Sequence, residues 1–315
     1  MVSRIFVFPG QGSQTVGMGK ELADAFPEAR HVFEEVDDAL GQALSRIIFD
    51  GPEETLTLTE NAQPAIMATS MAFLRVLEKQ AGIEWGKQVA MVAGHSLGEY
   101  TALAAAGAFS LADTARLLKI RGQAMQAAVP AGKGGMAAIL GLDFVEVDEI
   151  AEAASAGEER CAVANDNSPG QVVISGHTEA VNRAMELAKA KGAKRALPLA
   201  VSAPFHCDLM QPAADAMRDA LQKIAPKAPL VPVLANVTAT PSQDASHIVS
   251  LLVQQVTGMV RWRESMEQLQ SLGITHHVEI GAGKVLTGLI RRIDKEIEAI
   301  AVSTPAEIEA FAKTL

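Results

Sequence analysis

The chain has 315 residues, 49% of them hydrophobic and 20% charged, which excludes a disordered or fibrous protein and leaves room for one large domain or a large and a small one. A formal charge of −10 and a pI near 5.2 argue against a nucleic-acid partner, because phosphate contacts need a clustered basic surface. The longest apolar stretches, such as residues 102–109, fall far short of a membrane span, and Met1-Val2-Ser3-Arg4 leads into a strand without a targeting pattern. Cys161 and Cys207 have neither metal-ligand spacing nor partners for a disulfide framework, so a cytoplasmic protein with no membrane association is expected.

Along the chain, strand and helix patterns alternate. Ile5-Phe6-Val7-Phe8 reads as a strand running into the loop Pro9-Gly10-Gln11-Gly12-Ser13. Val89-Ala90-Met91-Val92-Ala93 is a short apolar run of the kind a buried parallel strand shows, and residues 99–106 read as a helix. A capping box beginning at Ser110 opens a helix over about residues 111–128. The rhythm changes between about residues 132 and 200. Strands at 136–140, 161–164, 171–175 and 196–199 and helices at 146–156 and 178–191 follow the order β-α-β-β-α-β of a ferredoxin-like unit. Gly132-Lys133-Gly134-Gly135 reads as its hinge and Asn167-Ser168-Pro169-Gly170 as its turn. Strands at 231–236, 277–281 and 299–302 complete the series. The expected fold class is α/β: a large α/β-hydrolase-like parallel-sheet subdomain from residues 1–131 and 201–315, with a small ferredoxin-like subdomain, 132–200, inserted. A ligand is expected in the cleft between them.

Gly94-His95-Ser96-Leu97-Gly98 sits between the strand and helix at the centre of the large part. Such a turn projects a serine hydroxyl from the carboxyl edge of the sheet, and the following amides, led by that of Leu97, are placed to stabilise an oxyanion. Ser96 is therefore the candidate nucleophile, and Cys207 is the weaker alternative. The next helix carries a second clue. Arg121 falls within the stripe of Leu117, Leu118, Ala124, Met125 and Ala128, and a guanidinium on an apolar face needs an anion. Two readings stand at this level: a structural ion pair or snorkelling side chain, and a substrate carboxylate held by the planar fork.

His206, in Ser202-Ala203-Pro204-Phe205-His206-Cys207, is the best-placed base because residues 208–224 read as a helix whose N-terminus would favour the neutral imidazole. His95, His177 and the pair His276-His277 are its rivals. Other motifs fail. The Gly10-to-Thr15 loop lacks the third glycine of a dinucleotide fingerprint, Gly283-Lys284 is followed by Val285 rather than a P-loop hydroxyl, and no zinc or EF-hand spacing occurs. Lys189, Lys191, Lys194 and Arg195, with Lys284, Arg291 and Arg292, form either a basic docking patch or solvated helix faces.

Several blocks in order resemble the malonyl-CoA:acyl-carrier-protein transacylase family over nearly the whole chain. They are the opening loop from Phe8 to Gln14, the nucleophile motif from Gly94 to Tyr100, Arg121-Gly122, the stretch from Asn167 to Val173, Phe205-His206, and the stretch from Glu279 to Leu286. The resemblance implies Ser96 as nucleophile, His206 as general base, and Arg121 as partner of the malonyl carboxylate. It implies the Gln11 and Leu97 amides as oxyanion hole and the Gln255 backbone carbonyl as orienter of the histidine, and it carries Asn167 as a substrate-binding position. Phe205, where some free-standing bacterial members have serine, is similar to malonyl-selective domains. The resemblance also implies malonyl-CoA as substrate, acyl carrier protein as transient partner, ping-pong transfer and no metal or other cofactor. A serine hydrolase and a non-catalytic carrier-protein docking subunit are the alternatives from other classes.

Overall fold

The computed structural model describes residues 2–201 and 203–315, so Met1 and Ser202 lie outside the described residues. Strand β1 (Arg4–Phe8) is followed by five helices: α1 (Lys20–Ala25), α2 (Pro27–Leu40), α3 (Leu44–Asp50), α4 (Glu53–Thr57) and the long α5 (Thr59–Ala81). Then come β2 (Val89–Gly94), α6 (Gly98–Ala105) and α7 (Leu111–Ala127). A second group comprises β3 (Gly134–Leu140), α8 (Phe144–Ala154), β4 (Cys161–Ser168), β5 (Gln171–His177), α9 (Thr178–Ala190) and β6 (Arg195–Pro198). A 3-10 turn (Asp208–Met210) leads into α10 (Gln211–Lys223), β7 (Val233–Leu234), β8 (Pro241–Ser242), α11 (Ala245–Thr257) and α12 (Trp262–Glu267). The chain closes with β9 (His276–Ile280), α13 (Val285–Ile293), β10 (Glu298–Val302) and α14 (Pro305–Ala312).

Two sheets result. The larger has the order β10-β9-β1-β2-β7-β8, and its first five strands run parallel. Both of its faces are covered: Phe6 and Phe8 point into one apolar core, Ile5 and Val7 into another under Trp262. Burial on both sides is why β1 and β2 read as unbroken apolar runs rather than alternating ones. The smaller sheet, β4-β5-β3-β6, is antiparallel and packs its own core against α8 and α9. A half-buried ion pair joins the two parts, with Asp166 of β4 2.8 Å from Arg263 of α12. Backbone bonds between Val260 and both Ala164 and Asp166 run beside it.

The structure departs from the sequence reading in three places. The sheet is not wholly parallel, because β8 runs antiparallel to β7, and the strand expected over 231–236 pairs only at Val233 and Leu234. Pro229 and Pro232 remove backbone donors there, and Asn236 turns inward to serve the site. Gly134 and Gly135 belong to β3 rather than to a hinge. A Cβ on Gly134 would lie 2.4 Å from the Pro204 ring, so close packing rather than flexibility requires the glycine. Asn167 and Ser168 continue β4, which narrows the expected turn to Pro169-Gly170. Of the two readings of the basic residues, the pairing of Lys189, Lys191 and Lys284 with Glu186, Glu149 and Glu307 favours solvated faces for those lysines.

Candidate active site

Ser96 occupies the turn between β2 and α6 with a left-handed φ of 53°. The glycines on either side are required by contact distance. A Cβ on Gly94 would stand 1.9 Å from the Gly98 carbonyl carbon, and one on Gly98 2.3 Å from the Phe8 carbonyl oxygen. The crowded turn is pinned by Asn236, whose Oδ1 accepts from the Ser96 amide at 2.8 Å while its Nδ2 donates to the Gly94 carbonyl at 2.8 Å. Strain held this way by surrounding bonds keeps the hydroxyl in one place.

His206, also left-handed with φ 58°, brings its Nε2 to 2.7 Å from Ser96 Oγ. Its Nδ1 faces two backbone carbonyls, Gln255 at 2.9 Å and Gly258 at 3.1 Å. Both can only accept, so the ring proton resides on Nδ1 and Nε2 presents its lone pair to the serine hydroxyl. Burial and then the charge of Arg121 lower the imidazole pKa to about 3. The neutral base expected from sequence is therefore produced by burial and Arg121; residues 208–210 form a 3-10 turn, and the α-helix begins only at Gln211.

Arg121 is 1% exposed yet makes no ion pair with a carboxylate among the described residues. Its Nη1 donates to Gln63 Oε1 at 2.9 Å, and its Nη2 donates to Gln255 Oε1 at 3.0 Å and to Ser96 Oγ at 3.1 Å. Its Nε has no hydrogen-bond partner among the described residues. Among the described residues the structural ion pair is absent, and a side chain 1% exposed does not snorkel to solvent. Close packing brings the arginine here: a Cβ on Gly122 would stand 2.6 Å from Glu60 Cα, so only glycine lets α7 approach α5 and Gln63 this closely.

A cavity of about 270 Å³ opens above Ser96 and His206, with Gln11, His95, Met136 and Phe205 in its wall. Arg121 lies behind this wall and reaches it through Nη2 at Ser96 Oγ. The backbone amides of Gln11 and Leu97 donate to no acceptor among the described residues, which leaves both able to hold an oxyanion. Asn167 accepts from His95 Nε2 at 2.8 Å and lines an adjoining cavity of about 180 Å³ with Val285 and Leu289. A more open groove of about 800 Å³ between α8 and α9 has no serine, cysteine or histidine in its wall.

The model of the acyl transferase domain family matches residues 5–306. The chain belongs to the acyl transferase family. It is similar to the malonyl CoA-acyl carrier protein transacylase of Bacillus subtilis, 46% identical over 98% of this chain and 96% of that one. The Escherichia coli K12 protein of the same name is 47% identical over 98% and 99%. Among solved structures, the acyl-carrier-protein S-malonyltransferase of Bartonella henselae superposes with a TM-score of 0.96 at 60% identity, covering 100% of this chain and 99% of that one. A malonyl-transacylase in complex with a type II polyketide-synthase acyl-carrier protein gives 0.95 at 44% identity, covering 99% and 100%.

Three of the four rival histidines of this acyltransferase have other partners. His95 is held by Asn167 and tilted against Trp262 at 5.5 Å, His177 accepts from the Arg160 amide, and His276 pairs with Glu298. His277 is fully buried, and neither ring nitrogen has a partner among the described residues. Cys207 is buried and donates its thiol to the Pro204 carbonyl. Sequence reasoning missed Gln63, Glu99 and Asn236. Gln63 stands just before Pro64 in a helix that is buried on nearly every side, so no periodicity marks it. Glu99 is the detectable one, being an acid directly after the nucleophile glycine, at the start of a buried helix.

Proposed function

We propose that the protein is a malonyl-CoA:acyl-carrier-protein S-malonyltransferase, which moves the malonyl group through a Ser96 O-malonyl ester to the phosphopantetheine thiol of acyl carrier protein. The observation that carries the reading is a buried guanidinium 3.1 Å from the serine oxygen that no carboxylate among the described residues directly contacts. A malonyl group esterified to Ser96 supplies an anion in direct contact, exchanging the Arg121 bond to Oγ for a charge-assisted one to its carboxylate. An acetyl group brings no such partner.

In the first half-reaction His206 Nε2 takes the Ser96 proton as Oγ attacks the thioester carbon. The amides of Gln11 and Leu97 receive the oxyanion, and coenzyme A leaves with the proton returned by His206. The carrier-protein thiol then repeats the sequence in reverse. Phe205 and Asn167 serve as substrate-side positions, the Gln255 carbonyl takes the place of a triad acid, and acyl exchange between thioester and ester asks for no metal or redox cofactor. In this reading residues 132–200 form a ferredoxin-like subdomain inserted into a large catalytic subdomain of residues 1–131 and 201–315, and the enzyme supplies fatty acid synthesis in the cytoplasm.

Intact-protein mass spectrometry after mixing with a panel of acyl-CoA thioesters tests the assignment. The expected result is a malonyl adduct on Ser96 that disappears on adding holo acyl carrier protein. Free malonate as main product with and without carrier protein would make the protein a hydrolase, and absence of any adduct or CoA burst would leave a docking subunit.

A further inference from the structure

Beneath Ser96 runs a line of contacts that the transfer steps do not use. Gln255 Oε1 accepts from Arg121 Nη2 at 3.0 Å, while Gln255 Nε2 donates to Glu99 Oε2 at 2.7 Å and to the Ser96 carbonyl at 2.9 Å. Glu99 Oε2 also accepts from the Asn236 amide at 3.1 Å, and the residue is 2% exposed. An amide has one accepting and one donating end, so a guanidinium on one side and a carboxylate on the other fix which way Gln255 faces. The same residue's backbone carbonyl holds His206. One carboxylate therefore governs a side chain that touches nucleophile, arginine and, through its backbone, the base.

We propose that Glu99 is the positioning residue and resting counter-charge of the site: ionised, it orients Gln255 against Arg121, and it takes up a proton when an acyl carboxylate arrives on Arg121. This rests on the malonyl reading above. A second carboxylate brought to the guanidinium competes for the one positive charge, and two like charges in a dry site cannot both stay ionised cheaply. Arg121 of α7 is the charged group that acts on Glu99; Tyr100 on its own helix is a buried phenol, and α5, β1, β2 and β7, the other elements against α6, contribute no charge to its surroundings. Burial already raises the Glu99 pKa to about 7, so the added charge finds it half ready to protonate. His206, lowered to about 3, does not compete for that proton.

Transfer of malonyl from thioester to serine is proton-neutral at pH 7, where the released thiol stays protonated. Proton uptake measured with a pH indicator during the CoA burst should therefore be a sizeable fraction of a proton per acylated site in the wild type and close to nothing in Glu99→Gln, whose amide oxygen still accepts from Gln255 and Asn236. Infrared difference spectra of wild-type enzyme, acylated minus free, should show a protonated carboxylic acid appearing, a readout independent of whether the variant folds. A normal burst with no uptake and no such band, or undiminished uptake in Glu99→Gln, would overturn the proposal. A wild-type protein with no burst would instead refute the malonyltransferase reading on which it rests.

Discussion

Replacing Arg121 by alanine tests the acyl selectivity most directly. The side chain is 1% exposed and donates to Gln63, Gln255 and Ser96, so its removal strands the accepting oxygens of two glutamines and takes away the cation next to the ester. Breaking a buried charge pair by deleting one partner costs about 3–5 kcal/mol. That is roughly a hundred-fold to a few-thousand-fold, and it should fall on malonyl alone because an acetyl ester has no carboxylate to lose. The assay is the ratio of acylation rates for malonyl-CoA and acetyl-CoA, measured by CoA burst on one preparation, so that any unfolded fraction cancels. Arg121→Met, which keeps most of the volume, should lower the ratio similarly. An unchanged ratio in both variants would refute the assignment of Arg121 to the carboxylate.

His206→Ala should leave Ser96 largely unacylated at neutral pH by mass spectrometry; full acylation would mean that another group, with His95 the first suspect, serves as base. Asn236→Ala removes two hydrogen bonds that hold the turn at φ 53° and should cost about 1–3 kcal/mol in kcat/KM, with a smaller effect on KM, since what is lost is placement of the hydroxyl. Acid stability should depend on His277, whose pKa burial lowers to about 3. Because the folded pKa is depressed below the ordinary histidine value of about 6.5, this contribution is fully present above pH ~6.5 and is lost as the pH falls toward 3, by on the order of a few kcal/mol. His277→Leu should flatten that part of a chemical-denaturation profile without changing acylation of Ser96. A profile that keeps its slope would rule out the buried imidazole as its source.

The alternation of apolar runs and helices, the serine on its glycine-flanked turn and the arginine on an apolar face were legible from the sequence because each is a local pattern. Strand period, turn chemistry and helix periodicity need only neighbouring residues. What the sequence could not decide is which distant groups meet. Glu99 and Asn236 are separated by 137 residues yet share a hydrogen bond, and Gln255 reaches the Ser96 carbonyl across 159. Nor could it tell whether Arg121 had an acid beside it, since any of the chain's 37 Asp and Glu residues was available in principle. Only packing resolves that, because the free energy of a buried charge depends on the few groups within hydrogen-bond reach, and these come from α5, α11 and the β2–α6 turn. The neutral state of His206 divides the same way: the residue was visible in the chain, while the burial and neighbouring charge that set its proton affinity exist only in the folded protein.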